Sequence, residues 1–112
     1  MTTINGTTVY HTHGDSLFLT FPLVNAEDGT PYVIQQGDTV TFLLRKEPGR
    51  APVITKNIPT DTLLLHVTAA ETEALGKGVI NGHYVYDVKL TTAEGHVDTV
   101  INLADLYITD EV

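Results

Sequence analysis

Two histidines one residue apart, in the run His11-Thr12-His13, are the first groups in this chain with metal-binding spacing. Alternate residues of a strand share a face, so both imidazoles can point at one divalent ion. A third ligand would have to come from His66, His83 or His96. Antiparallel pairing across a turn at Ala93-Glu94-Gly95, with Thr91 opposite His96, places His83 opposite the neighbourhood of Ala104. At about 3.3 Å per residue, His83 and His96 are then on the order of 20 Å apart and cannot share an ion. The histidines are expected to be solvated or packed, and no metal site is assigned.

The run His13-Gly14-Asp15-Ser16 holds the residue types of a hydrolase triad. Triads are assembled from separate segments, and Ser16, the only serine, has no Gly-x-Ser-x-Gly elbow around it. Asp15 reads instead as a turn residue bonding its own backbone. The carboxylates Glu27, Asp28, Asp38, Asp61, Glu71, Glu73, Asp87, Glu94, Asp98 and Asp105 are spread over turns and outer faces without the spacing of a calcium loop. A pair meeting in space would be needed for glycosidase or calcium chemistry. Gly76-Lys77-Gly78 lacks the rest of a phosphate-binding loop. Tyr10, Tyr32 and Tyr107 are the rings best placed to stack on a sugar. Tyr84 or Tyr86 is expected to return its hydroxyl to the backbone near residues 68–75, as in a tyrosine corner. No catalytic, cofactor-binding or metal-ligating residue is assigned, and no cofactor is expected.

The elements that position these groups are strands. The 112 residues suit one domain, 1–112, with 1–6 and 110–112 as frayed ends. A formal net charge of −8 argues against neutralising the phosphates of nucleic acid and against docking on an anionic membrane. The absence of cysteine excludes disulfides and thiolate chemistry. The N-terminus lacks the basic and apolar regions of a signal peptide, and no apolar run reaches the length of a membrane span. Synthesis in the cytosol without export by the general pathway is therefore expected.

Period-two alternation sets the strands. Val9 and His11 share a face over residues 7–12, and Leu17, Leu19, Phe21 and Leu23 point inward, with Phe18 and Thr20 outward. Pro22 predicts a sheet edge or a bulge there. Turns at residues 25–29 and 36–38 flank a short extended piece at 31–34. Val40, Phe42 and Leu44 point inward over 39–46. Short strands follow at 53–58 and 62–67, with Leu43, Leu64 and His66 outward. Thr68-Ala69-Ala70-Glu71 has capping-box spacing and opens the one helix expected, near 69–75, stopped by Gly76 and Gly78.

The strongest signal is the hairpin from 82 to 103. Ile80, Tyr84, Tyr86, Val88 and Leu90 share one face. His83, Val85, Asp87 and Lys89 share the other, and Val97, Thr99, Ile101 and Leu103 alternate after the turn. A separate last strand is expected at 104–109. About seven to nine short strands with turn signals between them are the pattern of an all-β, antiparallel sandwich.

Several segments in order resemble one family. They are His13-Gly14-Asp15 before an apolar strand, Asp28-Gly29-Thr30-Pro31-Tyr32, and Gln36-Gly37-Asp38-Thr39-Val40-Thr41-Phe42 running into Arg45-Lys46. The last are residues 75–78, then His83-Tyr84-Val85-Tyr86-Asp87-Val88-Lys89-Leu90-Thr91-Thr92-Ala93-Glu94-Gly95 and Thr99-Val100-Ile101. Together they resemble the N-terminal Ig-like domain of phage baseplate upper proteins and related virion accessory proteins, from about residue 8 to 109. The resemblance implies an Ig-like β-sandwich. It also implies a non-enzymatic structural or adaptor role in a phage or prophage virion (baseplate, tail or head fibre). The partners would be other virion proteins or the chain's own copies. Docking is expected through an exposed strand edge, at the Pro22 strand, Leu43, Leu64 or residues 104–109. The alternative is a carbohydrate-binding module for host surface glycans.

Overall fold

A computed structural model describes residues 2–5, 7–21, 23 and 28–109 of the chain, and of 2–5, 79 and 80 the backbone alone. The expectations for Pro22, for most of the 25–29 turn and for fraying at 110–112 lie outside the described residues.

The alternating apolar residues form strands as their period dictates. In β4 (Thr39–Arg45), Val40, Phe42 and Leu44 are buried, and in β3 (Leu17–Thr20), Leu17 and Leu19 are buried while Phe18 is exposed. The remaining strands are β1 (Thr2–Asn5), β2 (Thr8–Thr12), β5 (Ile54–Ile58), β6 (Leu64–Val67), β7 (His83–Thr91) and β8 (Val97–Thr109). Six of them form one sheet in the order β1-β2-β8-β7-β4-β5, and β3 pairs with β6 in a second, smaller sheet. The core lies between the sheets. Phe21, Phe42 and Tyr86 meet there with ring centroids 5.6 to 6.4 Å apart.

The fold is all-β, with one departure from the antiparallel expectation. β2 and β8 run parallel, with Val9 opposite Leu106 and Thr12 opposite Thr109. Parallel neighbours need a long crossover, and here every element from β3 to β7 supplies it.

The capping box forms as its spacing requires. Thr68 accepts from the N–H of Glu71, whose carboxylate accepts from the N–H of Thr68, and α1 (Ala69–Glu73) follows. A second helical turn, α2 (Gly78–Asn81), was not expected from sequence. Gly78, read there as a stop, begins α2 with φ of 89°, a left-handed conformation that glycine adopts without a Cβ penalty.

The hairpin departs most from its regular reading. Residues 97–109 form one strand, so 104–109 is not separate. The turn is one residue longer than expected, so Thr91 pairs with Val97. The register then shifts at two places, between Val88 and Lys89 and between Tyr86 and Val88, so that His83 pairs with Tyr107. Each extra residue on β8 reverses which parity faces the core. Ala104, Leu106 and Ile108 are buried and Ile101 packs against the core, while Val97 and Leu103 are exposed. The face of β7 expected to be solvated is also buried at Val85 and Asp87.

Candidate functional site

The outer face of the six-stranded sheet gathers a row of rings. The parallel β2–β8 register puts Tyr10 beside Tyr107, and the β7–β8 register puts His83 on the other side of Tyr107. The Tyr10 and Tyr107 rings stack with centroids 5.2 Å apart and planes 13° apart. His83 and Tyr107 stack at 4.8 Å and 25°. His83 Nε2 also donates to Asp105 Oδ1 at 2.9 Å, a diagonal neighbour on the same face. Rings stacked in this way stand up from the sheet rather than lie on it. Both faces of Tyr107 are covered, and the row offers ring edges, two phenol hydroxyls, an imidazole and a carboxylate.

Next to this row, the same face holds an ion pair. Arg45 Nη1 donates to Asp87 Oδ2 at 2.6 Å, and the N–H of Leu103 donates to Asp87 Oδ1 at 2.7 Å. Asp87, expected on a solvated outer face, is 6% exposed because those two donors replace its water. The exposed side chains of Val97, Val100 and Leu103 extend the apolar character of β8 toward the hairpin tip.

The other small sheet carries a second ring pair. Phe18 stacks on His66 across the outer face of β3–β6, with centroids 4.4 Å apart and planes 6° apart. Each residue was legible as outward-facing, but their contact depends on Phe18 lying opposite His66 in the ladder.

Several of the other residues singled out by type have structural partners. His11 is buried, and its Nε2 donates to the main-chain oxygen of Asp15 at 2.8 Å. Thr72 Oγ1 donates to that same oxygen at 2.8 Å, and His13 Nε2 donates to the main-chain oxygen of Glu73 at 2.9 Å. These bonds tie the turn after β2 to α1. The acceptors of both Nε2 atoms are carbonyls, whereas a triad pairs an imidazole nitrogen with a nucleophile's hydroxyl. His83 and His96 stand at opposite ends of β7–β8. Among the described residues no group of three or more His, Asp or Glu side chains could hold a metal ion.

Tyr84 is the corner residue. Its hydroxyl accepts from the N–H of Gly76 at 2.8 Å, one residue beyond the expected stretch. A Cβ on Gly76 would lie 2.3 Å from the oxygen of Asn81, so Gly76 is a close-approach residue of this corner. Tyr86 instead reaches the carbonyl of Thr7, and burial pushes its hydroxyl up to about 12. Tyr32 donates to Asp38 Oδ2 at 2.8 Å. That bond, then burial and the charges of Asp38, Asp98 and Glu94, raises Tyr32 above the ordinary tyrosine range.

Among the described residues no helix is long and apolar enough to cross a membrane. No protein-family model, curated protein or solved structure matches the chain.

Proposed function

We propose that this chain is a non-enzymatic structural or adaptor protein of a phage or prophage virion, acting through protein–protein contacts, with an Ig-like sandwich as its frame. The virion role rests on the ordered motifs that resemble baseplate upper proteins. The frame is supported by one relationship above others. Tyr84, second residue of β7, bonds the backbone eight positions upstream at Gly76. A tyrosine near the start of a strand that bonds back across the preceding corner is a mark of Ig-like sandwiches.

The contact surface proposed is the outer face of the six-stranded sheet, where Tyr10, Val97, Val100 and Leu103 are all more than a third exposed. Residues 106–109, most of the 104–109 edge considered from sequence, are paired to β2 on the side away from β7 and have no free edge there. A glycan would find less to stack on, since the Tyr107 ring is sandwiched between Tyr10 and His83. Mass spectrometry and immunogold electron microscopy of particles from an induced lysogen test the role. Stoichiometric recovery with capsid or tail proteins is expected, and absence from purified particles would overturn it.

A further inference from the structure

Two free strand edges in this fold carry features that oppose strand addition, and the one on β5 is a charge. β5 is the last strand of the six-stranded sheet, paired on one side to β4 and, among the described residues, to no strand on the other. An edge of this kind is a template for another chain. Within β5, Lys56 lies opposite Phe42, so it stands on the core-facing side with Ile54 and Ile58 rather than on the outer side with Thr55 and Asn57. Lys56 Nζ meets Glu71 Oε1 at 2.7 Å. That oxygen also accepts the N–H of Thr68 in the capping box of α1.

We infer that Lys56 is an edge guard: an inward-pointing charge, held in place by Glu71, that keeps β5 from pairing with a strand of a second copy. A strand added beyond β5 would lay its own core-facing side chain over the ammonium. The Lys56 side chain is about a third exposed, and its ammonium would lose water with one carboxylate as compensation, a costly way to bury a charge. The rest of β5 is Ile54, Thr55, Asn57 and Ile58, a β-favouring and otherwise uncharged run. A second edge, β8 over 97–103, is guarded differently. Its two register shifts break the even display of N–H and C=O groups that a partner strand needs. The inference stands independently of the virion role, since it concerns what the isolated chain does in solution.

The test separates the charge from the ion pair. Lys56→Val and Lys56→Glu both remove the bond to Glu71, and only the first leaves β5 uncharged. Sedimentation velocity of the wild type and both variants is read from about 10 to 500 µM, a range in which weak edge contacts register. Folding is checked by circular dichroism. The wild type and Lys56→Glu are expected to sediment alike across the series. Lys56→Val, folded, is expected to shift to dimers and larger species, with at least a tenfold rise in apparent association. Thr55→Pro and Asn57→Pro, each introduced into Lys56→Val, identify the edge. Leu44 presents its C=O to β5, where it accepts the N–H of Val53, so Ile54, Lys56 and Ile58 bond to β4 and both Thr55 and Asn57 direct their N–H outward. Each proline is therefore expected to restore the wild-type sedimentation. A Lys56→Val that sediments as the wild type does would overturn the inference. Equal association of Lys56→Glu would also overturn it, because lost packing and not lost charge would then be the cause.

Discussion

The carboxylate of Asp87 bridges two strands: its Oδ1 accepts the main-chain N–H of Leu103 on β8, and its Oδ2 accepts Arg45 Nη1 on β4. The bond to Leu103 falls where the β7–β8 register shifts, between Tyr86 and Val88. Leu103 itself has φ of 51°, a left-handed conformation that costs a non-glycine residue roughly 1–2 kcal/mol. A buried side-chain acceptor thus takes a donor that the bulge removes from the ladder. Asp87→Ala is expected to destabilise by about 3–5 kcal/mol, since it leaves both the Arg45 guanidinium and the Leu103 N–H without this partner. Arg45→Ala strands only one carboxylate oxygen and should cost less. Urea midpoints of the two variants check the order, and equal losses would count against the role of Leu103.

Tyr86 sets an alkaline limit. Burial raises its hydroxyl from 10.0 in the unfolded chain to about 12 in the fold. Between those values the folded state holds a proton that the unfolded state has released, so stability falls as pH rises from 10 toward 12. Tyr86→Phe removes this component together with the bond to Thr7. The variant is expected to be less stable at pH 7 by about 1 kcal/mol and to lose less stability between pH 9 and 11, measured by chemical denaturation.

Glu71 acts on the acid side. Its bond to Lys56, and then the Thr68 N–H, hold its carboxyl below the ordinary value of 4.5. The folded state therefore favours the ionised form, and the stabilisation is present above pH 4.5 and lost as pH falls through the lower folded value. Glu71→Gln should show a smaller fall in denaturation midpoint between pH 6 and pH 3 than the wild type. Thr68→Ala, which removes the other half of the capping box, should cost about 1 kcal/mol at either pH.

The corner at Gly76 gives a graded pair. Tyr84→Phe leaves the Gly76 N–H without its acceptor and should cost about 1–2 kcal/mol. Gly76→Ala places a Cβ against the main chain of Asn81, which cannot yield without moving α2, and should cost more. Thermal unfolding monitored by circular dichroism checks the order. A Gly76→Ala protein as stable as the wild type would remove the close-approach argument.

Much of the fold was legible because its cause is local. Val40, Phe42 and Leu44 alternate, and alternation alone puts them on one face of β4. Thr68 and Glu71 are three apart, and that spacing by itself makes the cap of α1. Phe18 and His66 could each be placed outward for the same reason. The aromatic row could not be assembled this way. Tyr10, His83 and Tyr107 come from three strands, two of them parallel, and stack only because of the registers that bring them level. Regular alternation across the 82–103 hairpin also put Ile101 and Leu103 on one face, whereas Ile101 packs on the core and Leu103 is exposed, since the extra residues of a bulge leave no mark on hydrophobic period.

What the sequence by itself determined is therefore most of the strands, β1 not among them, most of their buried faces and the single capped helix. These follow from the two-residue repeat of extended backbone and from side chains reaching their own neighbouring main chain. Only the tertiary structure decided the parallel closure of β2 on β8, the two bulges, the burial of Asp87 and the inward aim of Lys56 at Glu71. Each depends on a partner at least ten residues away in the chain. That choice is made by packing and by the need to satisfy buried polar groups, and neither is written in the spacing of nearby residues.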